Sequence, residues 1–575
     1  MGLLNFFFIL IFYSSQAAET RLCEHIFLKE GKLILNKNEQ VLICGSNKAG
    51  QPWQSIPLPQ AELHLKSILQ NIGYLHPRFQ REKEQLLVWT GPESEIKELQ
   101  VEQPVTILNP AKKRKVVGEA LTSEKLNEVE SWANLGFRSQ GYACPEIQIE
   151  AQAWNETVRV KTKLDSQKKI DLLIAQNLEG LNLDVLDRYR PFEKGDLYDI
   201  RETQIMVSRL IDDGLFQSAF FEIACGQNEV ALDLKTTIGK PKILRFGIGA
   251  STEELPFADL TFRNTRLDNK ASSVTMNLHI SPRLQRFLVD SQLYWFPGWH
   301  RTFFGPRFRM TREIESAYQT DSGRLGADLG RRWDMWKTRF VGKGGPTLNW
   351  VKTSRGRGPE DARYSSLEAS LALMNHLYES SIWQQEQGWT ASIFFRGQAQ
   401  GLGSRINVNH YEVDYKYLWN IGHYAPPLWV LGTRIEGITV DASEVGNQDP
   451  TPLIPIEDRV FAGGDQNLRG FPRKSINNQG LGYLSFLYLG FELRLIEELP
   501  YHLQPFLLWD IGQVGKRRYT VDPPIFTSEG IGLRWLSPFG TVRSSLAQGR
   551  IFNRNGLDQP YPEQWVFFFS FGQEF

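Results

Sequence analysis

Leu487-Tyr-Leu-Gly-Phe-Glu-Leu-Arg494 alternates without a break. Leu487, Leu489, Phe491 and Leu493 fall on one side of an extended chain, and Tyr488, Gly490, Glu492 and Arg494 on the other. A period of two marks a strand. The pattern recurs from residue 241 onward: Leu244, Phe246 and Ile248 oppose Arg245, Gly247 and Gly249, and Leu507, Trp509 and Ile511 oppose Leu508, Asp510 and Gly512. Tyr411, Val413, Tyr415, Tyr417 and Trp419 oppose Glu412, Asp414 and Lys416. A soluble sandwich also alternates, so the dressing of the faces discriminates. One face here is rich in Trp, Tyr and Phe, and the other carries charge or glycine, as in strands with lipid outside and water inside. Lipid leaves no open sheet edge satisfied, so such strands must close into a barrel. Residues 241–575 give room for roughly sixteen strands of about ten residues.

Composition agrees. The 575 residues carry 65 basic and 65 acidic side chains, which removes the electrostatic case for nucleic acid. Aromatics reach 12%, and beyond the N-terminus no apolar run is long enough for a membrane helix. Met1–Tyr13 is a short apolar block followed by Ser15-Gln-Ala17-Ala18, which predicts a secretory signal peptide over residues 1–18. The cysteines are Cys23, Cys44, Cys144 and Cys225. In an exported chain they allow two disulfides in three connectivities, with Cys23–Cys44 the local choice. Neither a metal-ligand spacing nor a hydrolase or phosphate-loop motif is present, so no enzyme, metal or cofactor is expected.

Between the leader and the barrel, one grammar repeats three times: a helix-like stretch, a glycine with an aromatic close behind, then two strand-like runs. The helical faces are Leu65, Ile68, Leu69 and Ile72; then Leu126, Val129, Trp132 and Leu135; then Val207, Leu210 and Ile211. Gly73, Gly141 and Gly214 follow at a spacing of about 70 residues, the period of an array of small α+β domains. The expected boundaries are 19–95, 96–165 and 166–240. Pro191-Phe-Glu-Lys-Gly-Asp-Leu-Tyr198 in the third unit matches the pattern of polypeptide-transport-associated (POTRA) domains.

Phe461-Ala-Gly-Gly-Asp-Gln-Asn-Leu-Arg-Gly-Phe471 is too glycine-rich for a helix and too polar for a strand core. Gly463, Gly464 and Gly470 suit a shaped loop, and Arg469, if docked inside the protein, requires carboxylates to receive it. Parity places Glu492 and Asp510 on the lumen face, where they are its natural partners. The chain ends Trp565-Val-Phe-Phe-Phe-Ser-Phe-Gly-Gln-Glu-Phe575, an aromatic membrane strand.

Taken together, the three units, the Gly463-Gly464-Asp465 … Arg469-Gly470-Phe471 loop and Asp510-Ile-Gly512 resemble the TamA family of the BamA outer-membrane assembly superfamily. That resemblance implies a sixteen-stranded barrel whose sixth extracellular loop folds inward and docks on the wall. It also implies a weak lateral seam between the first and last strands, near Leu244, Phe246 and Ile248 on one side and Phe569, Phe571 and Phe575 on the other. The expected function is assembly of outer-membrane proteins, autotransporters among them. The expected partners are unfolded barrel clients, outer-membrane lipid and a TamB-like envelope-spanning protein. The alternative is a two-partner-secretion pore exporting one polypeptide, a class that resembles two POTRA units with a plug helix.

Overall fold

The computed structural model describes residues 20–571 except 32, 46–55, 103–114, 153, 176–177, 179, 382–384, 423–426, 443–448, 497–498, 538–539, 554–560 and 562. The expected leader and Phe575 lie outside the described residues. The chain divides into two compact units, residues 1–138 with 144–165, and residues 139–143 with 166–575. The first unit holds two small sheets; the second holds a third small sheet and a barrel.

The small sheets share a plan. In the first, β1 (Thr20–Cys23), β2 (Ile26–Glu30), β3 (Arg78–Glu82) and β4 (Gln85–Trp89) are ordered β1-β2-β4-β3, with β2 parallel to β4. In the second, β5 (Glu98–Val101) lies parallel to β7 (Thr157–Lys163), which pairs with β6 (Glu146–Gln152). In the third, β8 (Lys169–Ala175) lies parallel to β10 (Glu229–Ile238), which pairs with β9 (Phe216–Cys225). A strand precedes each helix and joins the hairpin that follows it in parallel; the sequence grammar captured the helix and hairpin but not that strand. Gly73, Gly141 and Gly214 all have positive φ (+101°, +101° and +71°), which suits the turn that ends a helix.

Each helical face differs from expectation at one residue: Ile72, Leu135 and Ile211 are exposed, and the second helix differs most. Helix Ser123–Arg138 buries Val129, Ala133 and Phe137, whereas Leu135 is 44% exposed. A stripe read at steps of three drifts around a helix of 3.6 residues per turn, and here the steps of four face the core. Cys23 and Cys44 are disulfide-bonded with Cα atoms 5.6 Å apart.

The barrel closes sixteen antiparallel strands in sequence order. They begin with β11 (Lys242–Ser251), β12 (Leu255–Asn264), β13 (Ser273–Ile280), β14 (Leu284–Gln292), β15 (Thr302–Ile314) and β16 (Gln319–Met335). The middle holds β17 (Thr338–Arg355), β18 (Asp361–Asn375), β19 (Gly388–Gln398), β20 (Val408–Ile421) and β21 (Trp429–Ala442). The last are β22 (Ser485–Leu495), β23 (Leu503–Gly515), β24 (Asp522–Ser537), β25 (Gly540–Phe552) and β26 (Trp565–Phe571). Outward positions such as Leu487, Leu507, Trp509 and Ile531 are exposed, while the alternating positions Tyr488, Glu492, Leu508 and Asp510 are buried. The apolar face therefore looks outward and the polar face inward, as a lipid-spanning barrel requires.

Candidate functional site: the docked loop and the seam

The segment of residues 449–484, between β21 and β22, folds into the barrel interior. Isolated bridges Val460–Tyr483 and Ala462–Ile476 make it a hairpin, which explains why so polar a segment holds one shape. Leu468, Phe471, Ile476 and Tyr483 pack with Phe486, Tyr488, Val514 and Phe526 of the wall. Phe471 meets Phe526 edge to face at 5.5 Å and 85°, a favoured aromatic geometry.

Arg469 is fully buried. Its Nη2 and Nε donate to the two oxygens of Asp510 at 2.7 and 3.0 Å, and its Nη1 donates to Glu492 Oε2 at 2.7 Å. Its backbone N–H also donates to Asp510 at 3.0 Å. Strands β22 and β23 are neighbours in which Gly490 pairs with Asp510 and Glu492 with Leu508, so the two carboxylates stand side by side on the lumen wall. Further donors reach both: Tyr488 Oη donates to Asp510 at 3.0 Å, and Arg494 and Arg543 donate to Glu492 at 2.7 and 2.8 Å. Arg543 also stands 3.7 Å from Asp465, so three guanidiniums meet three carboxylates. Such a balance is what makes buried charge tolerable.

Two glycines make the approach possible. A β-carbon at Gly470 would lie 2.3 Å from the Gly549 backbone, and one at Gly512 would lie 2.8 Å from Leu468 Cδ1. The Gly470 N–H donates to Ser528 Oγ at 2.8 Å. The loop's return limb is clamped too: Arg473 bonds Glu315 at 2.8 Å and Glu253 at 3.2 Å, and Lys474 bonds Glu313. All six loop residues singled out from sequence, with Glu492, Asp510 and Gly512, come together here. Tyr488, Arg494, Ser528, Arg543, Glu253 and Arg473 were not anticipated. Lumen parity marks Arg494 and Arg543, whereas nothing in the sequence ties Glu253 to a loop some two hundred residues away.

Leu244, Phe246 and Ile248 are each about 70% exposed on β11. Among the described residues, β11 and β26 share a single register pair, Ser251 with Ser570. One further contact supports it: the Thr252 N–H donates to Phe569 O at 2.9 Å, and the Phe569 N–H donates to Thr252 Oγ1 at 3.2 Å. Phe569 and Phe571 lie on β26 beside this corner. By contrast β11 and β12 pair over ten positions, and β25 and β26 over seven. Among the described residues, every other neighbouring pair of barrel strands shares at least seven register positions, and the seam shares one.

A family model described as the Omp85 superfamily domain matches residues 238–575, more than half of the chain. The chain belongs to the Omp85 superfamily. Among solved structures, this Omp85 chain is similar to BamA from Haemophilus ducreyi lacking POTRA domains 1–3, with 13% identity and a TM-score of 0.49 over 83% of this chain and 98% of that one. It is also similar to CdiB from Acinetobacter baumannii, with 14% identity and a TM-score of 0.46 over 83% and 89% of the two chains. CdiB from Escherichia coli gives 12% identity and a TM-score of 0.48 over 88% and 95%. No curated protein matches the sequence. Superfamily membership places the Omp85 barrel in the outer membrane with the small domains on the periplasmic side, and its activity in barrel assembly or secretion. The turn between β11 and β12 and the docked loop then belong to the extracellular end, and the β18–β19 connection to the periplasmic end.

Proposed function

We propose that this Omp85 member is an assembly factor of the TamA kind, which helps barrel proteins such as autotransporters to insert and fold. The observation that carries the reading is the seam. An incoming strand in lipid has no partner for its N–H and C=O groups, which is costly. Among the described residues the contact between β11 and β26 is confined to Ser251 and Thr252 facing Phe569 and Ser570, and parting this short contact would offer the backbone of β11 to such a strand. The exposed Leu244, Phe246 and Ile248 would lie against the acyl chains while this happens. The POTRA-like domains would receive clients on their own sheet edges and engage a TamB-like partner. No covalent step is required.

Depletion of the protein followed by comparison of the outer-membrane proteome tests the reading. Loss of several unrelated barrels is expected. Loss of one secreted polypeptide, with all barrels at normal levels, would replace it with an exporter of a single client.

A further inference from the structure

The docked loop lies across the inner side of the seam and grips both flanks. On the C-terminal flank, Arg469 and Gly470 hold Asp510, Glu492 and Ser528 of β22–β24, and Arg543 of β25 faces the Asp465 carboxylate. On the N-terminal flank, the Asp465 N–H donates to Glu253 Oε1 at 2.7 Å, and Arg473 reaches Glu253 Oε2 at 3.2 Å. Glu253 is buried and directly follows Ser251 and Thr252, the residues through which β11 touches β26. The short β11–β12 turn is therefore held from two sides, by the seam and by the loop.

The contact is built into the loop backbone. Gly464 has φ +128°, and a β-carbon there would lie 2.4 Å from Glu253 Oε1. Only glycine lets the carboxylate reach the next N–H. We propose that the loop is the clasp of the seam, and that Glu253 is the positioning residue through which the docked loop keeps β11 against β26. A hydrogen bond to a carboxylate is stronger than a neutral one, so this tie outweighs any single bond across the seam. Releasing it frees the edge of β11. The inference rests on the reading of the seam as the site that receives client strands, and it adds what keeps that site shut.

The test uses the full chain in its membrane. Directly paired antiparallel residues lie within disulfide span, so Ser251→Cys with Ser570→Cys reports seam closure by oxidative cross-linking, and the chain has no free cysteine to compete. Adding Glu253→Ala should lower the cross-linked fraction at least threefold while the barrel keeps its heat-modifiable gel mobility. Glu253→Gln, which still accepts from Asp465 but loses the ion pair with Arg473, should give a smaller drop. If Glu253→Ala does not fold, Arg473→Ala on the loop decides in its place. Unchanged cross-linking in the folded variant overturns the clasp. Reduced cross-linking with unchanged client levels leaves the clasp standing and counts against the assembly reading instead.

Discussion

Arg469 and Asp510 meet through three hydrogen bonds, two from the guanidinium fork and one from the arginine's own backbone N–H. The third ties loop conformation to side-chain docking: the aspartate sets the turn as well as receiving the charge. Removing one partner of a buried pair leaves the other charge stranded, at a cost of about 3–5 kcal/mol. Asp510→Ala and Arg469→Ala should each unseat the loop, lower the temperature at which the barrel loses its folded gel mobility, and reduce client levels. Arg469→Lys should fail nearly as badly, because one ammonium cannot reproduce a fork shared between Asp510 and Glu492. Normal client levels in a folded Arg469→Ala barrel would remove the docking from the mechanism.

The wall glycine Gly512 predicts a size-dependent result. Its absent side chain is the seat of Leu468, with three leucine carbons within 2.8–3.1 Å of where a β-carbon would sit. Gly512→Ala should loosen the loop modestly and Gly512→Val severely. Combining Gly512→Ala with Leu468→Ala should recover part of the loss, because the second change vacates the space the first requires. Protease sensitivity of the loop in intact membranes reads both effects; equal sensitivity of the alanine and valine variants would show that the contact is not limiting.

The barrel and the core of the docking site were legible because both rest on local pattern. Alternation at Leu487–Arg494 fixes which face Glu492 shows, and one lumen arginine among glycines points to a carboxylate wall. What escaped depends on register and shear. Glu253 meets Asp465 only because the first hairpin is short and the loop returns across the seam, which no window of sequence encodes. The helical face of the second small domain was misread for a different reason: Leu126, Trp132 and Leu135 are larger than Ala133, yet Ala133 faces the sheet and Leu135 faces solvent. Burial there follows the geometry of the contact rather than side-chain size.

The disulfide in the first small domain predicts a local dependence on redox state. Cys23 and Cys44 are 21 residues apart, and a link of that span restricts the unfolded chain by about 3 kcal/mol. Cys23→Ala with Cys44→Ala should therefore lower the stability of the first domain while the barrel keeps its gel mobility. Limited proteolysis of the double variant should cut first within residues 20–89, and cleavage beginning in the barrel would contradict the assignment.

The third small domain is fastened to the periplasmic mouth of the barrel, and the fastening titrates. Arg209, on helix Ile200–Asp212, donates to Glu379 at 2.8 Å and to Asp334 at 2.7 Å. Beside it His376, in the short helix His376–Ser380 after β18, lies 2.8 Å from Glu202 of the third domain and 3.0 Å from Asp334 of β16. Burial disfavours its charge, but the hydrogen bonds to Asp334 and Glu202 outweigh burial and raise the imidazole to about 9. Arg339, 3.0 Å from Glu379, and Lys337, 3.6 Å from Asp199, also stand at this junction, and Arg263 and Arg332 pair with Asp213 at the other end of the helix at 2.8 and 3.4 Å. A raised histidine stabilises the docked state fully below its ordinary value of about 6.5, and that contribution is lost as pH climbs through about 9. Amide protection of helix Ile200–Asp212, normalised to an unstructured peptide at each pH, should fall by up to about seventyfold between pH 7 and pH 10. His376→Gln should start lower and stay flat across the same range. A wild-type profile as flat as that of the variant would show that the junction holds through its arginine and lysine ion pairs without the histidine.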